Sequence, residues 1–404
     1  ARVRRQFGIP IAYLEGVEEP LARMAGEAYR VDAARMLTLS ALELGEKPGV
    51  LSAILKYHAT EANRRSVNDA MDIHGGKAII TGPNNYLATL YQSVPIAITV
   101  EGANILTRSL IIFGQGAIRN HPFLQKEIAL AGMDISDASI RAFDTTLFAH
   151  VGYVINNLSR SLLFGLTGAR LIHSPVKGRT AHYYRQITRL SSAFAFVADV
   201  VLITLGGSFK FKEKISGRLA DVLTHLYLAS AVLKHHRDAG SPEEEHPLVH
   251  WAIRDSLFQI QNALVNALRN FPNPYIGKLV LWCIFPLGRP YKEPSDRLGK
   301  YAARILYTPG AARDRLCQGI YTATDDSATA KLDRAFAAIL AVAPVEKRLK
   351  SQLGLDISMD NCDAVVESGL REGVISTEEG ELLKEAYALV RELIAVDDFP
   401  QAAK

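Results

Sequence analysis

Apolar residues in this chain recur with the period of an α-helix almost from end to end. Leu14, Val17, Leu21, Met24, Ala28 and Val31 alternate spacings of three and four, which lines one face of a long helix and leaves Glu18, Glu19, Arg23 and Glu27 elsewhere. Lys47-Pro48-Gly49 closes that helix. A second begins at about residue 50, places Leu51, Leu55, Ala59, Ala62, Ser66, Ala70 and Ile73 on one side, and stops at Gly75-Gly76, where missing side chains permit a tight turn and close approach of a ligand. After Gly82-Pro83-Asn84-Asn85 a short helix leads to Pro95. Another segment runs helically from Glu101 until Phe113-Gly114-Gln115-Gly116 loosens it near His121-Pro122. Apolar-rich stretches at 136–171, 181–205, 215–233 and 248–271 predict further long helices, and no alternating strand pattern competes. The expected fold class is therefore all-α. Residues 1–122 are expected to form a four-helix-bundle-like domain, and 123–404 a second helical domain. Ser241-Pro242-Glu243-Glu244 and Ser376-Thr377-Glu378-Glu379 read as capping boxes, so the acidic run 243–245 is a helix start. Loops are expected around 288–297, 322–327 and 354–361.

Composition narrows the class. A chain of 404 residues, 48% hydrophobic and 22% charged, can bury sizeable cores. A net charge of +4 with dispersed basic residues gives no nucleic-acid footprint. Cys283, Cys317 and Cys362 are far apart and lack metal-site spacing, which fits a reducing compartment. His235 and His236 point to different helix faces and read as a solvated pair, so no metal site is expected. The stretch 190–209 is nearly uncharged, but Asp199 near its middle favours a helix buried among others over a membrane span. The segment 274–286 is too short to cross, although either stretch would support docking on a membrane. Ala1-Arg2-Val3-Arg4-Arg5 is not a secretory signal. With no initiator methionine, the chain is expected to be part of a longer protein.

The strongest functional signal is Glu101. Ile96, Ile98 and Val100 precede it, and Ile105, Leu106 and Leu110 follow. An acid in such surroundings at a helix start suggests a low-dielectric pocket, which raises a carboxylate's pKa toward that of a useful proton acceptor. Two patterns lie upstream: Arg4-Arg5-Gln6-Phe7-Gly8 and Asp72-Ile73-His74-Gly75-Gly76.

Taken in this order, the three patterns resemble the acyl-CoA dehydrogenases. The resemblance implies that Arg4, Phe7, Asp72, Gly75 and Gly76 contact FAD, often across a subunit interface, and that Glu101 abstracts the substrate's α-proton. It also implies that Gly102 and Arg108 lie against the substrate. Ala103 stands where the family often has threonine or serine, Val100 where it often has tyrosine, Asp72 in place of glutamine and His74 in place of an aromatic. Residues 123–404, with Gly114–Pro122 before them, look like the extension of the long bacterial fatty-acid enzymes.

The implied chemistry converts a fatty acyl-CoA to trans-2-enoyl-CoA in β-oxidation. A proton leaves Cα as a hydride leaves Cβ for the flavin, while the thioester carbonyl is hydrogen-bonded by the base's own backbone N–H and a ribityl hydroxyl. The implied setting is a cytoplasmic homo-oligomer with peripheral inner-membrane contact, passing electrons to an electron-transfer flavoprotein or an equivalent acceptor. Because the family's N-terminal helical domain and middle β-domain have no counterpart in these residues, the isolated chain is expected to be inactive. Two other readings stand beside this one: a non-catalytic helical dimerisation or membrane-docking module, and part of an acyl-CoA oxidase.

Overall fold

A computed structural model describes residues 1–82, 84–321 and 327–396. Helices dominate: α1 (Glu15–Glu43), α2 (Gly49–His74), α3 (Gly76–Ile79), α4 (Ala88–Thr99), α5 (Asn104–Leu106), α6 (Gly116–Asn120), α7 (Leu124–Ala131), α8 (Asp137–Leu166) and α9 (Ala181–Leu205). They continue as α10 (Glu213–Asp238), α11 (His246–Arg269), α12 (Pro274–Ile284), α13 (Asp296–Tyr307), α14 (Ala311–Leu316), α15 (Ala328–Leu353), α16 (Cys362–Arg371) and α17 (Thr377–Ile394). The all-α reading holds, with one small addition. Arg5–Gln6 (β1) and Ile9–Pro10 (β2) pair antiparallel, and Phe7 and Gly8 at the tip have φ of 52° and 77°. Two left-handed residues in succession are what a two-residue hairpin requires. Strands of two residues are too short to show alternation in sequence.

The described chain divides into two compact units, each discontinuous in sequence. The first comprises Ala1–Ala25, Asn63–Pro95 and Gly299–Lys404, and the second Gly26–Ala62 and Ile96–Leu298. In the first, α15, α16 and α17 pack around Ile339, Val342, Leu349, Val366, Leu383 and Tyr387. Arg5 of the hairpin pairs with Glu346 of α15, whose other oxygen accepts from Tyr387 Oη at 2.7 Å. In the second, α10 lies along α11, and α8 against α9. Leu190, Leu219, Leu228, Leu248, Ile253, Ile260, Leu264 and Leu268 are fully buried there. Gly26 sits so close to Trp251 that a Cβ would fall 1.9 Å from its ring.

Local signals set many helix ends. Ser376 and Glu379 form the expected capping box, and Ser136 with Ser139 forms another. Asn273 caps α12, with Pro274 in its first turn, and Gly354 ends α15 in the left-handed conformation. Ser241 does not cap. Its φ is +57° and Pro242 leads into a 3-10 turn over Glu243–Glu245, so the acidic run is that turn and α11 starts only at His246. The loosening expected at Gly114 and Gly116 is absent. The chain is π-helical over Thr107–Gln115 and runs on into α6, because those glycines let it pack, with Cβ positions 3.4 Å from Ser216 Oγ and 3.2 Å from Val50. The loops at 288–297 and 354–361 are where they were expected. Residues 322–326 of the third lie outside the described residues.

Charge placement differs most from the sequence reading. Glu18 and Glu27, assigned to the polar face of α1, are buried, while Ala28 of the apolar seam is exposed. Glu18 lies 3.6 Å from Lys300 Nζ within the first unit, and the burial of Glu27 comes from an ionic network in the second. Arg30 is 1% exposed and donates to Glu27, to Asp255 at 2.6 Å and to Ser256 Oγ at 2.9 Å, while His58 of α2 meets Glu27 at 3.1 Å. His236, read as half of a solvated pair, is buried with Nδ1 3.6 Å from Glu245. Ala181–Phe211 is long and apolar enough to cross a membrane by length and composition, with under half of its apolar window buried. Helices Ala88–Thr99 and Asn104–Gln115 meet the same test only if taken as one bent span. Core helices of soluble proteins share this composition.

Beside the Arg30 network, His225 is pushed down to about 3, first by desolvation and then by the charges of Arg30 and His58. Its folded pKa lies below its unfolded one, so the unfolded chain takes up the proton first as pH falls. The stability that the neutral ring contributes is complete above the ordinary histidine pKa. It is lost on descending from there toward pH 3, at roughly 1.4 kcal/mol for each pH unit crossed. Melting temperature is expected to fall between about pH 7 and pH 4.5, and less steeply in His225→Asn. Equal slopes for both proteins would exclude His225 as a source of the acid sensitivity.

Candidate active site

Helix α4 ends at Thr99, and the chain reverses through Val100-Glu101-Gly102 before Ala103 leads into α5. Glu101 has φ of +54° and Gly102 φ of +95°. Glycine takes such values freely, whereas a glutamate held there is strained by about 1 kcal/mol or more. Strain of this kind persists only where neighbours fix the backbone.

The fixing is visible. Lys56 Nζ of α2 donates to Gly102 O at 2.8 Å, Asn104 Oδ1 at 2.7 Å and Ile98 O at 3.5 Å. One ammonium thus reaches both sides of the turn. Asn104, buried at the start of α5, donates from Nδ2 to Thr60 Oγ1 and Glu61 Oε1, each at 2.9 Å. Thr107 Oγ1 donates to Gly102 O at 3.3 Å. Lys56, Thr60, Glu61 and Asn104 were not singled out from sequence. Their only signal is that Lys56 and Thr60 are four apart and share a face of α2.

Glu101 itself has no hydrogen-bond or ion-pair partner among the described residues and is exposed, although the turn around it is tied down. The apolar enclosure expected around it is not formed by the described residues: Ile96, Val100, Ile105 and Leu106 are all exposed. Those side chains make an apolar rim around an accessible carboxylate. Glu101 also stands two residues before the cap of α5 rather than in its first turn. Arg108 is already engaged, its Nε and Nη2 donating to the two oxygens of Asp221 at 2.7 and 2.5 Å. Hydrogen bonding to Asp221 raises its pKa further, so a substrate would meet an ion pair there rather than a free cation.

The second set of residues belongs to the first unit. Arg4 Nη1 donates to His74 O at 3.3 Å, which brings the hairpin to the end of α2. Gly75 has φ of +62°, and open space lies beyond the Cβ positions of both Gly75 and Gly76. Phe7 is 90% exposed at the hairpin tip, and Asp72 is exposed. His74 donates from Nδ1 to Ala70 O at 2.7 Å, which leaves Nε2 to accept from Tyr86 Oη. Burial pushes the Tyr86 phenol up to about 12 and lowers His74, so both are neutral. Bare glycine backbone beside a guanidinium and an uncovered aromatic ring fits a large, flat, anionic group approaching this edge.

Two family models match most of the chain. Residues 1–114 match the family model "Acyl-CoA dehydrogenase, C-terminal domain", and residues 118–399 match "Acyl-CoA dehydrogenase, C-terminal, bacterial type". A 3-(aryl)acrylate reductase of Clostridium sporogenes (strain ATCC 15579) is 32% identical over 114 residues, 28% of this chain and 29% of that protein. The fold is similar to a crystal structure of acyl-CoA dehydrogenase complexed with FAD from Bacillus anthracis, with a TM-score of 0.55 and 18% identity over 76% of this chain and 51% of that one. The chain thus spans less than a third of the length of the first and about half of the second.

If Lys56 fixes the turn, Lys56→Met is expected to speed amide hydrogen exchange at 102–104 by about tenfold or more, the equivalent of one charge-assisted hydrogen bond. Unchanged exchange at those amides would show that the turn holds itself.

Proposed function

The chain belongs to the acyl-CoA dehydrogenase family, and on that premise we propose that it is the C-terminal part of an FAD-dependent enzyme that oxidises fatty acyl-CoA to trans-2-enoyl-CoA. The observation that carries this reading is Glu101: an accessible carboxylate, without a partner among the described residues, on a strained turn that Lys56 and Asn104 hold in place. FAD, when bound, supplies the acceptor for the hydride that leaves Cβ. Glu101 takes the proton from Cα. Its fixed backbone spares the reaction the entropy of positioning a flexible base, and the apolar rim of Ile96, Val100, Ile105 and Leu106 becomes a dry wall once an acyl chain covers it. Arg4, Phe7 and the Gly75-Gly76 backbone would hold the cofactor, with Asp72 at the same edge. Gly102 and Arg108 are the residues we assign to the substrate, Arg108 being paired with Asp221.

The acrylate reductase relative supports a second reading on the same residues. Reduction of an α,β-unsaturated acyl compound is the microscopic reverse, in which protonated Glu101 would return a proton to Cα and reduced FAD would supply the hydride to Cβ. Direction then depends on the acceptor, which we assign to an electron-transfer flavoprotein or equivalent. We place the protein in the cytoplasm as a homo-oligomer, with peripheral contact to the inner membrane.

In the full-length protein, Glu101→Gln keeps the shape and removes the base. It is expected to slow anaerobic bleaching of the flavin by palmitoyl-CoA by about a hundredfold or more. Bleaching at the wild-type rate would remove Glu101 from the mechanism. The 404-residue chain alone is expected to retain little FAD, since Phe7 and Gly76 are uncovered here and few contacts must offset the cost of ordering the cofactor. Stoichiometric yellow protein from this chain would contradict that.

A further inference from the structure

Asp199 lies in the C-terminal third of the apolar helix α9, and its side chain is 1% exposed. His121 Nε2 stands 2.7 Å from its Oδ1, and His150 Nε2 of α8 stands 3.5 Å from the same oxygen. Asp199 Oδ2 has no hydrogen-bond partner among the described residues. Half of a buried carboxylate is therefore unsatisfied, which is costly in an apolar interior. Behind His150, Glu127 Oε1 lies 2.8 Å from Nδ1. A neutral His150 donates to Glu127 from Nδ1 and turns the lone pair of Nε2 toward Asp199, so two acceptors face each other. A positive charge between them removes the conflict.

We propose that His121, His150 and Asp199 bind a divalent transition-metal ion, zinc by the character of the ligands, with Glu127 orienting His150 from behind. One ligand atom from each residue lies within 4.8 Å of the others. Imidazole nitrogen and carboxylate oxygen are zinc ligands, and tetrahedral zinc with bonds of about 2.0–2.2 Å separates its ligands by roughly 3.4 Å. Closing the cluster onto an ion therefore takes small shifts, with Oδ2 of Asp199 ready to take part. A carboxylate behind a ligating histidine fixes the tautomer that leaves Nε2 for the metal. The ring of Phe123 stacks on His150 at 5.2 Å, and Tyr153 packs against both Phe123 and His121, a shell that limits water.

The ion would be structural, tying α8 and α9 to the segment that leads into α7. It has a local consequence. His121 Nδ1 accepts from the backbone N–H groups of Phe123 and Leu124 at 3.2 and 3.3 Å. Ligation through Nε2 moves the ring proton to Nδ1, so those two N–H groups must be released.

The test uses the chain stripped with a chelator, then titrated with zinc by calorimetry and with cobalt(II) by visible absorption. One equivalent of zinc is expected, with intense tetrahedral cobalt bands, a higher melting temperature and shifted amide resonances for Phe123 and Leu124. His150→Gln and Asp199→Asn are expected to weaken zinc by at least about a hundredfold, and Glu127→Gln by about tenfold. Well under one equivalent of zinc in the wild-type chain, or equal binding by Asp199→Asn, would show a hydrogen-bonded triad only. If Asp199→Asn does not fold, the wild-type stoichiometry and the cobalt spectrum decide.

Discussion

A buried guanidinium sets the terms for the second unit. Arg30 is removed from water, and a charge in that position is tolerated only if every donor is met. Glu27, Asp255, Ser256 Oγ and the carbonyl of Ala252 meet them, which fixes α1 against α11, while Glu27 also engages His58 and so fixes α2. Lys56 and Thr60 lie two residues to either side of His58 on α2, turned toward the Glu101 turn. The position of that turn is thus inherited from the ionic network through one helix. Replacing such a network by apolar residues can be neutral for stability, but removing one member leaves a bare charge in the core.

The helices are readable in the sequence because long amphipathic segments announce their period, and α8, α9, α10 and α11 each fall on an apolar stretch expected to be helical. The Ser376 capping box is readable because it depends on four consecutive residues. What escapes depends on distant partners. The burial of Glu27 comes from Arg30, Asp255 and His58 meeting in space, and a charged residue on α1 looks like a solvated face until those partners are in place. Ser241 shows the opposite error, a correct motif defeated by a backbone with positive φ. Asp199 reads in sequence only as an expense for a membrane helix, because His121 and His150 stand 78 and 49 residues away.

For the candidate site, sequence reasoning picks out Glu101 and the Arg4 and Gly75-Gly76 segments, the residues we propose for the reaction and the cofactor, but not what supports them. Glu101, Arg4 and the Gly75-Gly76 turn carry local signatures: an acid among apolar neighbours, the basic run Arg4-Arg5 before Phe7-Gly8, and paired glycines. Lys56, Asn104 and Tyr86 carry none, since a lysine on a helix, a buried asparagine and a tyrosine in a loop have many ordinary uses. The apolar setting of Glu101 is also legible, but not its openness. Ile105 and Val100 form a rim here rather than a pocket, and a rim becomes a low-dielectric enclosure only when acyl chain or further protein covers it.

The central claim is that the Glu101 carboxylate moves the α-proton, whichever direction the enzyme runs. It is tested most directly by following exchange of the Cα hydrogens of an acyl-CoA with solvent deuterium by mass spectrometry, in the full-length protein with its flavin kept reduced. Wild-type protein should exchange those hydrogens and the Glu101→Gln protein should not, with cofactor content equal in both. Equal exchange in the two proteins would place the base elsewhere.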